Sequence, residues 1–221
     1  MGAMKFLLTA DDLMPRLDEF VIVDARRRDE YETAHVEGAV YLPGDPLLKD
    51  GVGFISPGNF GVLMDRLGVR AGSKIIVYDD GNGRPACRFW FVAKHYGHKD
   101  VFVLDGGWPA AASLPHSTVE ARPAAGAAGY TPYVTEGYMY FAQNIADNFE
   151  RIKLLDVRTW DEYCGHTLVD NPRGGHIPGS IHINHAEFLS PTREGYFKTA
   201  EEITRIMDNA GIGKEDFIVP Y

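Results

Sequence analysis

The stretch Val21-Ile22-Val23-Asp24-Ala25-Arg26 decides the fold, because a second stretch, Leu154-Leu155-Asp156-Val157-Arg158, repeats its pattern. In both halves a charged Asp-Glu-Tyr segment follows, and then a His-x-x-Gly turn leads into another apolar run. These pieces are Asp29-Glu30-Tyr31 and His35-Val36-Glu37-Gly38 in the first copy, and Asp161-Glu162-Tyr163 and His176-Ile177-Pro178-Gly179 in the second. Unlike elements that recur in a fixed order indicate an internal repeat.

The repeat can be checked by subtracting residue numbers. The separation between equivalent residues is 132 for Asp24 and Asp156, 141 for His35 and His176, and 143 for Tyr78 and Tyr221. The step from 132 to 141 means that the second copy carries nine extra residues between its Tyr and its His. In the first copy a loop, a helix and another strand are expected after Tyr78, so the sequence predicts that the second domain is incomplete at Tyr221.

Length, composition and charge fit two small globular domains. A content of 45% hydrophobic and 12% aromatic residues in 221 positions is ample for a core in each domain. The net charge of −9 argues against nucleic acid or an anionic membrane as a partner, because both would be repelled. A small anionic substrate stays compatible with it, since a helix N-terminus holds an anion locally.

Cysteine usage and the N-terminal residues bear on the compartment. Cys87 and Cys164 lie at unmatched positions of the two copies, so no disulfide framework is indicated and a reducing compartment fits. Residues 1–9 contain too short an apolar run for a signal peptide, and nothing approaches a membrane span. We therefore predict a cytoplasmic protein. The His, Asp and Glu residues lack metal-ligand spacing, and we predict neither a metal nor a cofactor.

Short apolar strands alternate with amphipathic helices along both copies, which is typical of a parallel sheet covered on both faces. The predicted fold class is therefore α/β. Residues 115–132 are rich in Ala, Gly and Pro and predict a linker between domains at 5–114 and 133–221. In the second domain we expect a helix across 137–148 and a later helix that begins with a capping box of Thr199 and Glu202.

The candidate site follows the strand that ends at Tyr78 and, in the second copy, at Tyr221, because ligands of open α/β sheets bind at the carboxyl ends of strands. A loop that leads directly into a helix points several N–H groups at one spot, which suits an anion and would stabilise a cysteine thiolate. The first copy has Asp79 and Asp80 there instead. A carboxylate repels anions and cannot carry sulfur, so the first copy is expected to be inert.

The motifs of both copies resemble tandem rhodanese domains. The resemblance rests on the paired Asp-x-Arg, Glu-Tyr and His-x-x-Gly signatures, on Tyr78-Asp79-Asp80 running into Ala86-Cys87-Arg88-Phe89-Trp90, and on the closing Leu104-Asp105-Gly106-Gly107-Trp108. It covers nearly the whole chain. It implies two rhodanese-like domains, each a parallel sheet flanked by helices, of which the first is a non-catalytic scaffold.

The resemblance also implies an activity, that of a two-domain thiosulfate sulfurtransferase. In such proteins a cysteine accepts a sulfane sulfur from a small anionic donor, thiosulfate or mercaptopyruvate, and passes it as a persulfide to cyanide or a thiol. That cysteine follows the strand that here ends at Tyr221, so it would be the next residue and the 221-residue chain is predicted to be inactive. A missing C-terminal fragment or a neighbouring chain is expected to complete the second domain.

Three residues of the second copy are candidate substrate-binding residues on the rim of the pocket, namely Arg158, Glu162 and Arg173. Relatives that resemble the animal enzyme often have Arg at the position of Glu162, where it helps to hold the anionic donor. Glu162 cannot do so directly, which leaves thiosulfate and mercaptopyruvate both open as donors. No catalytic residue is assigned within the chain.

Structural roles compete with catalytic ones for several side chains. Cys87 lies past the loop among aromatic residues, and Cys164 matches a glutamate of the first copy, so we expect both to be unreactive. We expect the two repeated aspartates to cap the next helix and to pair with the nearby arginines. The same histidine is present in each copy, as His35 and His176. Because the first copy is expected to be inert, its histidine favours a structural hydrogen bond for both.

Two other functions stay open at this point. The chain could be a non-catalytic binding or regulatory module that uses the fold without the chemistry. It could also be a phosphatase of related fold, which needs a catalytic loop one residue longer to cradle a larger phosphate. The tandem arrangement favours sulfur transfer over both.

Overall fold

The computed structural model describes residues 6–43, 55–121, 129–169 and 172–221. The chain forms two compact units. Unit 1 consists of Met1–Tyr138 together with Thr192–Tyr196, and unit 2 consists of Met139–Pro191 together with Phe197–Tyr221. Each unit contains one copy of the repeated Asp-x-Arg stretch.

Unit 1 is built on a parallel sheet. Its strands are β1 (Leu7–Leu8), β2 (Phe20–Asp24), β3 (His35–Val36), β4 (Val40–Tyr41), β5 (Lys74–Tyr78), β6 (Val101–Leu104) and β7 (His116–Ser117). Within the described part of unit 1, five of these strands pair in parallel in the order β1-β6-β5-β2-β4, and β3 pairs with β7 in antiparallel fashion. The predicted parallel α/β architecture is confirmed for this unit.

Helices cover both faces of the sheet in unit 1. They are α1 (Ala10–Leu13), α2 (Arg28–Thr33), α3 (Pro57–Arg66), α4 (Arg84–His95) and α5 (Gly107–Ala111), with a 3-10 helix at Met14–Glu19. Along β5, Ile75 and Val77 pack in a core with residues of α3 and α4, whereas Ile76 and Tyr78 pack in a second core with residues of α1, α2 and α5. Because strand side chains alternate between faces, two covered faces require strands that are apolar throughout.

Unit 2 repeats part of this plan. Its elements are α6 (Ala142–Asn148), β8 (Ile152–Asp156), α7 (Trp160–Cys164), β9 (Ile181–His182), α8 (Ala200–Asn209) and β10 (Phe217–Pro220), with 3-10 helices at Phe149–Arg151 and His185–Phe188. In the described residues its strands pair in parallel in the order β10-β8-β9. The equivalent strands of unit 1 have the same order, β5-β2-β4, so the sequence repeat is also a structural repeat.

Two helix predictions in unit 2 have different outcomes. The capping box of α8 is confirmed, since Thr199 Oγ1 accepts the N–H of Glu202 and the Glu202 carboxylate accepts the N–H of Thr199. The helix predicted across 137–148 is wrong at its start. Gly137 has a φ of +85°, a left-handed conformation that a right-handed helix does not contain, and the helix begins only at Ala142.

Candidate active site

A buried ion pair lies at the carboxyl end of β2 in unit 1. Asp24 is fully buried, and Oδ2 of its carboxylate accepts Arg26 Nη2 at 2.6 Å and the Tyr78 hydroxyl at 2.5 Å. Arg26 Nη2 also donates to the carbonyl of Ala34 at 2.7 Å, and the Tyr78 oxygen accepts the N–H of Val36 at 3.2 Å. These bonds connect the ends of β2 and β5 to the turn that contains β3.

The same arrangement recurs at the carboxyl end of β8 in unit 2. Asp156 Oδ2 accepts Arg158 Nη2 at 2.6 Å, and Arg158 Nη2 also donates to the carbonyl of Gly175 at 2.9 Å. The Tyr221 oxygen accepts the N–H of Ile177 at 3.0 Å, and its hydroxyl donates to Ser180 Oγ at 2.9 Å. Tyr221 therefore takes the place of Tyr78, as the separation of 143 residues predicts.

The predicted pairing of both aspartates with arginine is confirmed, but the predicted helix capping is wrong. The N-cap residues of α2 and α7 are Arg27 and Thr159, because each aspartate instead accepts the N–H of the arginine two residues later. Burial opposes ionisation of Asp156, yet the hydrogen bonds from Arg158 outweigh it and hold the pKa of Asp156 below its ordinary value. The carboxylate is thus kept in its charged form.

The two repeated histidines make the structural hydrogen bond predicted for them. His35 Nδ1 bonds the carbonyl of Tyr31 at 2.7 Å, and His176 Nδ1 bonds the carbonyl of Tyr163 at 3.0 Å. Each imidazole also stacks on the ring of that tyrosine, with centroids 4.0 Å apart in unit 1 and 3.7 Å apart in unit 2. His35 is fully buried, so it cannot reach a substrate.

The loop after β5 converges backbone N–H groups on one point, and its own side chain occupies that point. Asp79 Oδ1 accepts the N–H groups of Gly81 at 2.9 Å and Gly83 at 3.3 Å, and Oδ2 accepts that of Ala86 at 3.2 Å. Asp79 is 2% exposed. Burial raises the pKa of the Asp79 carboxyl, although the three N–H donors act against the increase. The donors that would bind a substrate anion are therefore already engaged.

Both cysteines are free thiols in environments that do not favour a nucleophile. Burial, together with the charge of Asp79, raises the pKa of the Cys87 thiol to about 12. Cys164 is exposed and lies in the last turn of α7. That is the carboxyl end of the helix, whereas reactive thiolates are stabilised at helix N-termini or beside cations.

Two of the three predicted rim residues, Arg158 and Glu162, lie together in unit 2. Arg158 forms an ion pair with Asp156, and its side chain is 24% exposed. Glu162 completes the capping box of α7, and the hydrogen bond from Thr159 Oγ1 is the main reason that its pKa lies below the ordinary value. The charges of Arg158 and Glu162 interact, so these two lie together. Arg173 is exposed in the inserted segment, and the described residues provide no ion-pair partner for it.

Sequence reasoning paired Tyr221 with Tyr78 and placed the candidate site after both, but it assigned no role to their hydroxyl groups. Tyr221 and Ser180 hold the strand end to the His-x-x-Gly turn. His182, at the end of β9, bonds the carbonyl of Arg158 at 2.9 Å and stands 4.7 Å from the ring of Tyr163. The separation of 143 residues identifies the tyrosines as a pair, but residue spacing carries no signal for the partners of their hydroxyl groups.

Two further properties concern the described ranges only. No group of three or more His, Cys, Asp and Glu side chains in them is arranged to hold a metal ion. None of their helices is long and apolar enough to cross a membrane.

Comparison with known proteins bears on this geometry. A family model for the rhodanese-like domain matches residues 9–113 and 140–221. The sulfur carrier protein TtuD of Thermus thermophilus is 32% identical over 210 residues, which are 86% of this chain and 72% of TtuD. Human 3-mercaptopyruvate sulfurtransferase is 31% identical over 213 residues, with 90% of this chain and 68% of the human protein covered.

A solved structure and a further relative agree with these matches. The crystal structure of SseA from Escherichia coli, a protein with the rhodanese fold, superposes with a TM-score of 0.84 at 25% identity. The superposition covers 98% of this chain and 88% of SseA. A putative thiosulfate sulfurtransferase of Mycolicibacterium smegmatis is 29% identical over 217 residues, with 91% of this chain and 76% of the relative covered.

Proposed function

The chain belongs to the rhodanese-like domain family, and we propose that its protein is a sulfurtransferase that works through a cysteine persulfide. Several of its relatives are sulfurtransferases by name. In the proposed cycle a thiolate attacks the outer sulfur of thiosulfate, which releases sulfite, or the thiol sulfur of mercaptopyruvate, which releases pyruvate, and a persulfide forms. Cyanide or a thiol then takes the outer sulfur, as thiocyanate or a new persulfide, and restores the thiolate. The free cysteines Cys87 and Cys164 support a reducing, cytoplasmic location for this chemistry.

One observation carries the proposal, namely that unit 2 repeats the scaffold which in unit 1 supports a loop of converging N–H groups. In unit 1 the first loop residue, Asp79, places its carboxylate among those donors. Asp79 follows Tyr78, whose equivalent is Tyr221. A cysteine directly after Tyr221 would put its sulfur where donors of this kind stabilise a thiolate and the oxygens of an anionic donor.

We propose that neither Cys87 nor Cys164 carries the persulfide. Burial keeps Cys87 protonated at neutral pH, because it raises the pKa of the thiol to about 12. Cys164 lies at the carboxyl end of α7, where the helix dipole does not stabilise a thiolate. The expected nucleophile is the residue after Tyr221, outside the 221 residues, and the 221-residue chain is proposed to be inactive.

Arg158, Glu162 and Arg173 are proposed to line the rim of the donor pocket. Arg173 is the side chain best able to bind the anionic donor directly, because Arg158 is already bonded to Asp156 and Gly175. The Arg158 guanidinium would act mainly by holding the strand end, as Arg26 does in unit 1. The choice between thiosulfate and mercaptopyruvate depends on which of the three contacts the donor.

The proposal is tested by thiocyanate formation from thiosulfate and cyanide. The 221-residue chain is expected to show no rate above the uncatalysed background, and a chain extended past Tyr221 with its natural sequence is expected to be active. A rate from the 221-residue chain that disappears in Cys87→Ser or Cys164→Ser would contradict the assignment. Donor binding without turnover by the extended chain would favour the binding module instead.

An apolar groove on unit 2 is where we expect a partner segment to bind. It is lined by residues of α8 and the neighbouring turn and strand, including Ile203, Met207, Ile212 and Ile218. The equivalents of three of these in unit 1, Phe60, Met64 and Ile75, are fully buried in the core that contains α4.

We propose that an amphipathic helix like α4, from a further C-terminal segment or a neighbouring chain, covers this groove. Such a helix would bury the side chains of α8 that are only half-buried here. Light scattering and mass spectrometry of the purified protein test this. A complex with a second polypeptide or a retained fragment is expected, whereas a stable monomer of 221 residues would contradict it.

A further inference from the structure

The segment from Gly129 to Thr135, here named the strap, lies against unit 1, although residues 129–132 belong to the predicted linker and residues 133–135 to the predicted second domain. The Asp65 carboxylate, at the end of α3, accepts the N–H groups of Gly129 at 3.0 Å and Tyr130 at 2.9 Å. The N–H of Thr135 donates to the carbonyl of His95 at 2.7 Å. The strap is therefore attached at both of its ends.

Close packing fixes the strap between these attachments. The Tyr130 ring meets Phe60 edge-on at 6.1 Å, and a side-chain Cβ at Gly61 would stand 2.7 Å from the Tyr130 carbonyl oxygen. A Cβ at Gly97 would stand 2.4 Å from the ring of Tyr133. Both glycines are thus needed for the strap to approach this closely.

The centre of the strap is bonded to a buried histidine. His98 is 2% exposed, its Nε2 bonds the carbonyl of Ser73 at 2.9 Å, and its Nδ1 bonds the Tyr130 hydroxyl at 3.0 Å. A carbonyl only accepts, so Nε2 carries the proton and Nδ1 accepts from Tyr130. The closed strap therefore fits the neutral imidazole.

Two charged side chains on neighbouring elements act on His98. Lys94 on α4 disfavours a second proton on the ring, whereas Asp100, which precedes β6, favours one. The Tyr130 hydroxyl stays neutral, because burial raises its pKa to about 12. Burial is the dominant effect on His98, and it lowers the pKa of the imidazole below the ordinary value of about 6.5.

We propose that the attachment of the strap to unit 1 depends on pH. The strap stays bound at neutral pH and is released in acid, when His98 takes up a proton. The closed strap keeps water from the His98 ring and thereby disfavours its charged form, and opening exposes the ring to water. Protons therefore bind the open state more tightly. The stability of the closed strap is fully present above the ordinary imidazole pKa and declines as the pH falls below about 6.5.

The test is amide hydrogen exchange of peptides that cover the strap, at pH values from 7.5 to 5 and corrected for intrinsic rates. Strap protection is expected to fall by up to about tenfold for each pH unit below 6.5. A peptide that covers β5 should keep its protection, which shows that opening is local. Equal losses in β5 and the strap would overturn the proposal.

Matched variants assign the response to one residue. His98→Gln should abolish the pH dependence of the strap, whereas His95→Gln should keep it, although burial also lowers the pKa of His95. His116→Gln, also in unit 1 but away from the strap, serves as a further control. Loss of the response in His95→Gln and its retention in His98→Gln would overturn the assignment.

Two other variants keep the proposal testable if His98→Gln does not fold. Tyr130→Phe keeps the ring but removes the hydroxyl, and it should lower strap protection about fivefold at pH 7.5. Gly61→Ala should open the strap at every pH, because its methyl group meets the Tyr130 carbonyl oxygen. Wild-type protection in both variants would mean that the contacts described do not hold the strap, and would overturn the proposal.

Discussion

The two units have the same scaffold at their strand ends but surround it differently. In unit 1 the Arg26 side chain is 3% exposed, and the Trp108 ring covers its guanidinium at 3.7 Å. In unit 2 the Arg158 side chain is 24% exposed. The paired aspartates are fully buried in both units. The comparison shows that the same ion pair is present in each unit and that its surroundings leave the arginine more exposed in unit 2.

The loop after the tyrosine is the second point of comparison. In unit 1 the Asp79 carboxylate fills the space on which the N–H groups converge. A thiol in that position would be a nucleophile, whereas the carboxylate is a permanent ligand of the loop. Under the proposed function, the residue directly after the tyrosine would distinguish a structural domain from a catalytic one on the same scaffold.

Removal of the carboxylate charge should give the largest difference between the two units in the loss of unfolding free energy. Asp24→Asn leaves Arg26 buried without its partner, and we expect a loss of about 3–5 kcal/mol in the free energy of unfolding of unit 1. Asp156→Asn should destabilise unit 2 by about 1.5–3 kcal/mol, because water reaches Arg158. Urea titration with pulsed hydrogen exchange at β5 and β8 follows each unit separately. Equal losses in the two units would mean that the difference in exposure has no energetic effect.

Removal of the tyrosine hydroxyls should lower the free energy of unfolding by less, again with the larger loss in unit 1. Tyr78→Phe removes a bond to buried Asp24 and leaves the N–H of Val36 without its acceptor, so we expect a loss of about 1–3 kcal/mol. Tyr221→Phe should cost about 1 kcal/mol, because Tyr221 is only half-buried and water can replace its hydroxyl. The same urea titration measures both. A larger loss for Tyr221→Phe would reverse the proposed order.

Substitutions at the helix caps should change the stability least, and the cap in unit 2 should contribute more than the cap in unit 1. Thr159→Ala removes the side-chain acceptor of the α7 capping box and should cost about 1 kcal/mol. Arg27→Ala at the equivalent cap of α2 should have almost no effect, because the Arg27 side chain makes no capping bond. Thermal unfolding of the two variants against wild type checks this. A greater loss in Arg27→Ala would show that the caps are not the relevant difference.

The sequence predicted those features that recur in both copies. The Asp-x-Arg pairs, the histidine hydrogen bonds and the parallel sheets follow from motifs whose spacing can be compared between the halves. We predicted both a helix cap and an ion pair for each aspartate, and the N-cap residues Arg27 and Thr159 were missed. The structure forms only the ion pair, with the arginine two residues later at 2.6 Å, because the same carboxylate accepts that arginine's N–H and side chain.

Tertiary contacts account for the remaining differences. The bonds from three N–H groups to Asp79 require the loop conformation, which the residue types do not specify. Residues 129–132 of the strap were predicted as linker because their composition lacks a period, and residues 133–135 were predicted as the start of the second domain. The attachment of the strap depends instead on Asp65 and His98, which lie more than 30 residues before Gly129 in the chain. The helix predicted from 137 failed for a local reason, the left-handed conformation of Gly137.

The central claim is that sulfur is carried by a cysteine directly after Tyr221 and by neither cysteine within the chain. The most direct test is intact mass spectrometry, with peptide mapping, after incubation with thiosulfate and removal of the excess. The 221-residue chain should gain no sulfur, and a chain extended past Tyr221 should gain one sulfur atom on the residue that follows it. A persulfide on Cys87 or Cys164 in either chain would contradict the account.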